Sequence, residues 1–152
     1  MTARRQNDVL LPGDYEALAD LRYTLRRFTA FSVGEAQRLG ITPQQHQALL
    51  AIKGLPADKE MTVGMLADRL LISPESATVL TTTLTEAGYV EHATSRTDGR
   101  RKIVALTKKA EHILEKLSGA HLHEIRDMAS ELMHALRILQ DRRKQEQIAW
   151  MS

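Results

Sequence analysis

Residues 61–107 read MTVGMLADRLLISPESATVLTTTLTEAGYVEHATSRTDGRRKIVALT, and the order of signals within them decides the fold. Thr62 offers a capping hydroxyl to a short helix whose inward residues are Met65, Leu66, Ala67 and Leu70. Ser73-Pro74 repeats the signal, a cap followed by proline at the first helical position, and opens a helix running to Ala87. Gly88 stands where a left-handed residue ends such a helix. Only Leu71 and Ile72 lie at the joint, so the two helices form a helix-turn-helix. Up to this point an αα-hairpin from an unrelated bundle reads the same way. The segments Tyr89–His92 and Lys102–Leu106 then read as strands, around a turn-rich tip, Thr94–Gly99, that contains Asp-Gly. A helix-turn-helix followed at once by a basic β-hairpin is a winged helix. On its second helix Ala77, Leu80 and Leu84 share the inward face.

Upstream, Pro12-Gly13 punctuates the chain and Asp14 is the candidate cap of a first helix, in which Leu18, Leu21, Leu25 and Phe28 mark one buried face. Gly40 ends it. Thr42-Pro43 opens the next helix, with Ala48, Leu49 and Ile52 apolar, and Gly54 and Pro56 stop it. Downstream, Thr107 caps a terminal segment free of proline, striped by Leu114, Leu117, Leu122, Ile125, Ala129, Leu132, Leu136 and Leu139. Helical throughout, it spans roughly 60 Å, more than one winged domain covers, so the stripe calls for the first helix and a second subunit. The predicted fold is mainly α with a small β-hairpin wing. It forms a single domain over residues 1–152, in which 41–107 is the winged lobe and 14–40 with 108–152 are dimerisation helices.

Composition is that of an ordinary globular chain: 152 residues, 43% hydrophobic, 26% charged, with a net charge of +2. The charge is local. From Ser95 to Lys109, Arg96, Arg100, Arg101, Lys102, Lys108 and Lys109 face one acid, Asp98. The absence of cysteine excludes disulfides, thiolate zinc sites and thiol redox sensing. No apolar run is long enough for a membrane span, and the basic stretch Met1–Asn7 lacks the apolar core of a signal peptide, so a cytoplasmic address is expected. His112, His123 and His134 recur every eleven residues, but steps of roughly 16 Å along a helix keep them from sharing one ion. His46 and His121 either line a ligand pocket or are solvated. No nucleophile elbow, phosphate loop or paired-carboxylate motif points to catalysis, and no cofactor is implied.

The runs Met61–Leu70, Ile72–Thr78, Leu84–Val90 and Arg96–Thr107, with Gly40-Ile-Thr-Pro-Gln-Gln upstream, together resemble the MarR family of regulators. The resemblance implies a homodimer with two lobes on a palindromic double-stranded DNA operator, modulated, most naturally as a repressor, by a small-molecule effector. The helix from Pro74 would enter the major groove and the wing arginine, Arg100, the minor groove. Asp98 is expected to hold Arg100 by a charge-assisted bond, with Arg101, Lys102 and Arg96 near phosphates. Ser73, Ser76, Thr78, Val79 and Thr82 are the expected DNA-facing set. Glu75 either accepts from cytosine N4 or complements the helix dipole. The helix has no Lys or Arg, unlike many relatives, which keeps open a protein-interaction module without DNA binding. An A·T-rich site is expected. For the effector, Arg27, Phe28, Phe31 and His46 suit an aromatic carboxylate, or are plain core and interface.

Overall fold

The computed structural model describes the backbone of residues 9–151 and the side chains of residues 9–141; the basic stretch Met1–Asn7 lies outside them. The elements are α1 (Pro12–Arg38), α2 (Pro43–Lys53), α3 (Val63–Leu70), α4 (Pro74–Glu86), β1 (Val90–Thr94), β2 (Lys102–Leu106) and α5 (Lys108–Met151). Short polar side chains set most of the helix starts. Thr42 and Gln45 form a reciprocal capping box on α2, Thr62 Oγ1 accepts the Met65 N–H, and Ser73 Oγ accepts the Ser76 N–H. Thr107 accepts the Ala110 N–H at 3.3 Å while donating its hydroxyl to the Gly88 carbonyl at 2.6 Å, so the cap of α5 also ties α5 to the end of α4.

Asp14 is not the cap of α1. The helix starts earlier, with Pro12 at its first position, and the Asp14 carboxylate reaches back to accept the Leu11 N–H at 2.7 Å. Proline's fixed φ and missing N–H suit that place. β1 also runs further than expected, to Thr94, because its register with β2 continues through Thr94↔Lys102.

The chain divides into two compact units, one of Ser32–His121 and one of the residues up to Phe31 and from Leu122 onward. In the Ser32–His121 unit a single core gathers Ala36 and Ile41, Ala48 and Leu49 of α2, Leu66 of α3, Leu80 and Leu84 of α4, Val90 and Val104 of the hairpin, and Leu114 and Leu117 of α5. The Val104 N–H donates to the Met61 carbonyl at 2.8 Å, which attaches β2 to the segment preceding α3.

In the other unit the buried positions, Met128 apart, are small or polar. Asp14, Ala17 and Thr24 are buried on α1, and Met128 and Ala135 on α5, while Arg27 pairs with Glu131 at 2.8 Å. Leu18 and Leu25, expected on a buried face of α1, are exposed, as are Leu122, Ile125 and Leu136 of α5. Among the described residues no helix is long and apolar enough to cross a membrane.

Three turns share one hydrogen-bond pattern. After α1, Gly40 donates to Gln37 O and Ile41 to Ala36 O; after α4, Gly88 donates to Thr85 O and Tyr89 to Leu84 O. After α3, Leu71 donates to Asp68 O and Ile72 to Ala67 O. The pivotal residue is left-handed each time, with φ of 77° at Gly40, 79° at Gly88 and 57° at Leu71. This closure favours glycine because a Cβ costs about 1–2 kcal/mol there. Leu71 is 92% exposed and recovers nothing by burial. Leu71→Gly is expected to stabilise the protein by about 1 kcal/mol, read as a higher urea midpoint at unchanged slope; a lower midpoint would mean that Leu71 has a packing role.

Candidate nucleic-acid interface

Helix α4 is sided by its burial. Ala77, Leu80, Thr81 and Leu84 are buried, which leaves Glu75, Ser76, Thr78, Val79, Thr82 and Thr83 outward. The outward threonines are not free hydroxyls. Thr78 donates to Pro74 O at 3.0 Å, Thr82 to Thr78 O at 3.0 Å and Thr83 to Val79 O at 2.9 Å. Each commits its one proton to the helix behind it. What remains outside is methyl surface, from the threonines and Val79, together with oxygen lone pairs and the Ser76 hydroxyl proton. Ser73 is occupied at the N-terminus, accepting the Ser76 N–H at 3.1 Å and donating to Ser76 Oγ at 2.9 Å. Glu75 lies exposed in the first turn, where a carboxylate complements the helix dipole.

The hairpin tip is laced by polar groups that periodicity does not reveal. Ser95 is buried; its Oγ accepts the N–H groups of Thr97 at 3.2 Å and Asp98 at 3.1 Å, and donates to Glu60 Oε1 at 3.0 Å. Glu60 also accepts the Arg96 N–H, at 3.2 Å to Oε1. Ser95 N–H reaches Arg101 O at 2.9 Å, and Arg101 N–H returns to Asp98 O at 3.0 Å. Asp98 was expected to hold the Arg100 guanidinium. Its carboxylate instead accepts the backbone N–H of Arg100 at 3.0 Å. A two-residue separation brings that N–H within reach of an Asx turn. The result is a rigid tip whose cations are not neutralised: Arg96, Arg100, Arg101 and Lys102 are exposed and make no ion pair among the described residues.

Lys109, counted in the basic stretch, has a different task. Its Nζ donates to Ala87 O at 2.7 Å and stands 4.6 Å from the Tyr89 ring centroid, where it complements the C-terminal end of α4. The histidines at 112, 123 and 134 form no metal-binding group among the described residues. Of the expected effector residues, Arg27, Phe28 and Phe31 belong to one unit and His46 to the other. Arg27 pairs with Glu131 and lies 5.7 Å from the Tyr23 ring centroid; Phe28 and Phe31 are half-buried. His46 is not solvated. It is buried, with its ring centroid 4.9 Å from that of His121.

Residues 39–101 match the sequence model of the MarR family. The match covers the lobe from the end of α1 to the wing and marks it as similar to that family. That family consists of transcription regulators rather than enzymes. No curated protein matches the chain in sequence. Among solved structures, AbsC, a MarR family transcriptional regulator from Streptomyces coelicolor, matches with a TM-score of 0.68 at 18% identity, over 95% of this chain and 97% of that one. The MarR family transcription regulator SP03579 matches at 0.67 with 21% identity, over 91% and 93% of the two chains. S. aureus MepR, solved as a complex with DNA, matches at 0.63 with 16% identity, over 84% and 93%. These likenesses, all under 25% identity, show the fold alone: a winged helix-turn-helix flanked by long helices.

The least expected member of the candidate interface is Glu60, a carboxylate among cations. Glu60→Ala removes the acceptor for Ser95 Oγ and the Arg96 N–H, bonds to a charged group worth about 1.5–3 kcal/mol each. Amide exchange of Arg96 is expected to quicken about tenfold or more, while that of Val104, bonded to Met61, stays as it was. An unchanged Arg96 rate would show that the tip closes without Glu60.

Proposed function

We propose that the chain is a dimeric, sequence-specific double-stranded DNA-binding regulator, acting as a repressor and released by a small-molecule effector. The observation that carries this reading is the pairing, within one unit, of an exposed methyl-rich face on α4 with a laced wing bearing unpaired cations. The residues proposed to contact DNA are Ser73, Ser76, Thr78, Val79 and Thr82 of α4 and Arg100, Arg101 and Lys102 of the wing, positioned by Asp98. That MepR has been solved with DNA is consistent with this assignment.

The chemistry of α4 narrows the site. Methyl groups meet thymine methyls, and oxygen lone pairs accept from the amino groups of adenine or cytosine. Guanine O6 and N7 need donors, and the outward threonines have already committed theirs, which leaves the single hydroxyl of Ser76 and no bidentate donor. An A·T-rich palindrome follows, and A·T tracts also have the narrow, electronegative minor groove that attracts an arginine such as Arg100. Selection from a random duplex pool tests this. Arg100→Ala is expected to weaken binding and to lower the log–log salt slope by about one. A G-rich consensus, or an unchanged slope, would count against the assignment.

Dimerisation is proposed through the helices of 14–40 and 108–152, since Leu18, Leu25, Leu122, Ile125 and Leu136 are exposed in the single chain. Light scattering should give twice the 17.1 kDa chain mass. Leu122→Asp with Leu136→Asp should give folded monomers, because neither side chain lies in the chain's own core. A wild-type monomer at micromolar concentration would overturn the dimer. The proposed effector is an aromatic carboxylate competing with Glu131 for Arg27, near Phe28 and Phe31.

One observation favours a second reading, a winged helix that docks on protein: α4 has no cation, and its outward charges are Glu75 and Glu86. Failure to retain any duplex at moderate salt would select it.

A further inference from the structure

His46 of α2 and His121 of α5 are both buried in the Ser32–His121 unit, their ring centroids 4.9 Å apart and their planes tilted by 51°. His121 is held at both nitrogens. Its Nδ1 lies 2.6 Å from Leu117 O, and since a carbonyl can only accept, that nitrogen carries a proton. Its Nε2 lies 2.9 Å from Ser32 Oγ, a hydroxyl that donates to a bare nitrogen or accepts from a protonated one. His46 is unlike it. Its Nδ1 is buried with no hydrogen-bond partner. A bare nitrogen tolerates that position better than an N–H does, because a buried unmet donor on a charged ring costs more than an unmet acceptor on a neutral one.

We propose that His46 and His121 form a proton-operated latch of α2 onto α5, closed while His46 is neutral and opening in mildly acidic solution. In the closed arrangement a charge on His46 would leave a buried N–H at Nδ1 with no acceptor, one ring away from His121. The opened arrangement exposes His46 to water and admits that proton, so acid favours it.

The surrounding charges do not relieve the pair. On α1, Glu35 is taken by Arg38 at 2.8 Å, and Lys53 of α2 and Glu111 of α5 pair with each other at 2.9 Å. Lys109 caps α4, and Lys108, Glu115 and Lys116 of α5 are exposed. Burial first, and His121 second, hold His46 below the ordinary histidine value of 6.5. The folded protein therefore binds fewer protons at His46 than the unfolded chain, and stability rises with pH. The latch's contribution is complete above the ordinary value and is lost as pH falls below it.

The test is urea unfolding of the whole chain between pH 8 and 5, for wild type and His46→Gln, with the exposed His112→Gln as control. Below pH 6.5 the wild-type folding equilibrium should weaken by up to about tenfold per pH unit relative to His46→Gln, and His112→Gln should follow wild type. Parallel wild-type and His46→Gln curves overturn the latch. Should His46→Gln fail to fold, NMR titration of the wild-type His46 ring decides: a midpoint below the ordinary value supports the latch, and one at or above it overturns it. Regulation by the latch rests on the DNA-binding reading. Wild type should release its selected duplex at pH 6 while His46→Gln holds it, and equal retention overturns the regulatory role. A chain that binds no duplex at any pH overturns the DNA-binding reading and leaves the unfolding arm to judge the latch.

Discussion

Burial of Ala77, Leu80, Thr81 and Leu84 constrains the rest of the lobe. With these four facing the core shared by α2, α3, the hairpin and α5, the rotation of α4 about its axis is fixed, and so is the identity of its outer face. A quarter-turn would bring Val79 or Thr83 inward and leave Leu84 in water, at a cost of about 1.5–3 kcal/mol for the leucine alone. The turn at Leu71 and the cap at Ser73 then set where α4 begins, and Thr107, bonded to Gly88 O, sets where α5 departs. The interface is thus held by apolar burial on one side and by helix-end hydrogen bonds at either end.

The hairpin is fixed by a different kind of force. Its two strands alone would be marginal in water, and they are held from outside: Val104 by Met61 O, and the Ser95–Arg96 turn by Glu60. A carboxylate there offsets one positive charge of the wing. In exchange, the tip gains a charged acceptor for the Ser95 hydroxyl and the Arg96 N–H, so the direction of the cations is defined. Arg100 is aimed by its backbone rather than its side chain, through Asp98. Its guanidinium makes no ion pair among the described residues, where an Asp98–Arg100 pair would have neutralised it.

What the sequence made readable was local. Thr42, Thr62, Ser73 and Thr107 cap groups within their own first turns, and the inward set on α4 follows from a period of 3.6. What it concealed was pairing at a distance. Glu60 acts on a serine 35 residues away and Lys109 on a carbonyl 22 residues away. No local pattern marks either, although a Glu ahead of Met61 and a Lys after Thr107 do stand next to readable caps. Histidine spacing drew attention to 112, 123 and 134, whereas the two rings that meet, His46 and His121, lie on different helices. The leucines of α1 were read as a buried face because periodicity identifies an apolar side without saying what covers it. Ala17 and Thr24, too small to register in that pattern, are among the positions of α1 that the chain itself buries.

On the proposed DNA-binding reading, a division of labour between α4 and the wing would make a net charge of only +2 compatible with gripping a polyanion. Long-range attraction depends on where charge is concentrated, since a Debye length near 8 Å in physiological salt hides the far side of the molecule from a bound phosphate. The exposed cations of the wing fall within one short loop, and Lys109, which total charge would count with them, is turned back onto α4. Affinity would then come from the hairpin and sequence preference from a helix with no cation to blur it. A lysine on α4 would tighten binding to every duplex alike. Methyls and lone pairs add little to affinity and distinguish one base pair from another, which is why an arginine-free α4 accords with a reading role for α4 so long as the wing keeps its geometry.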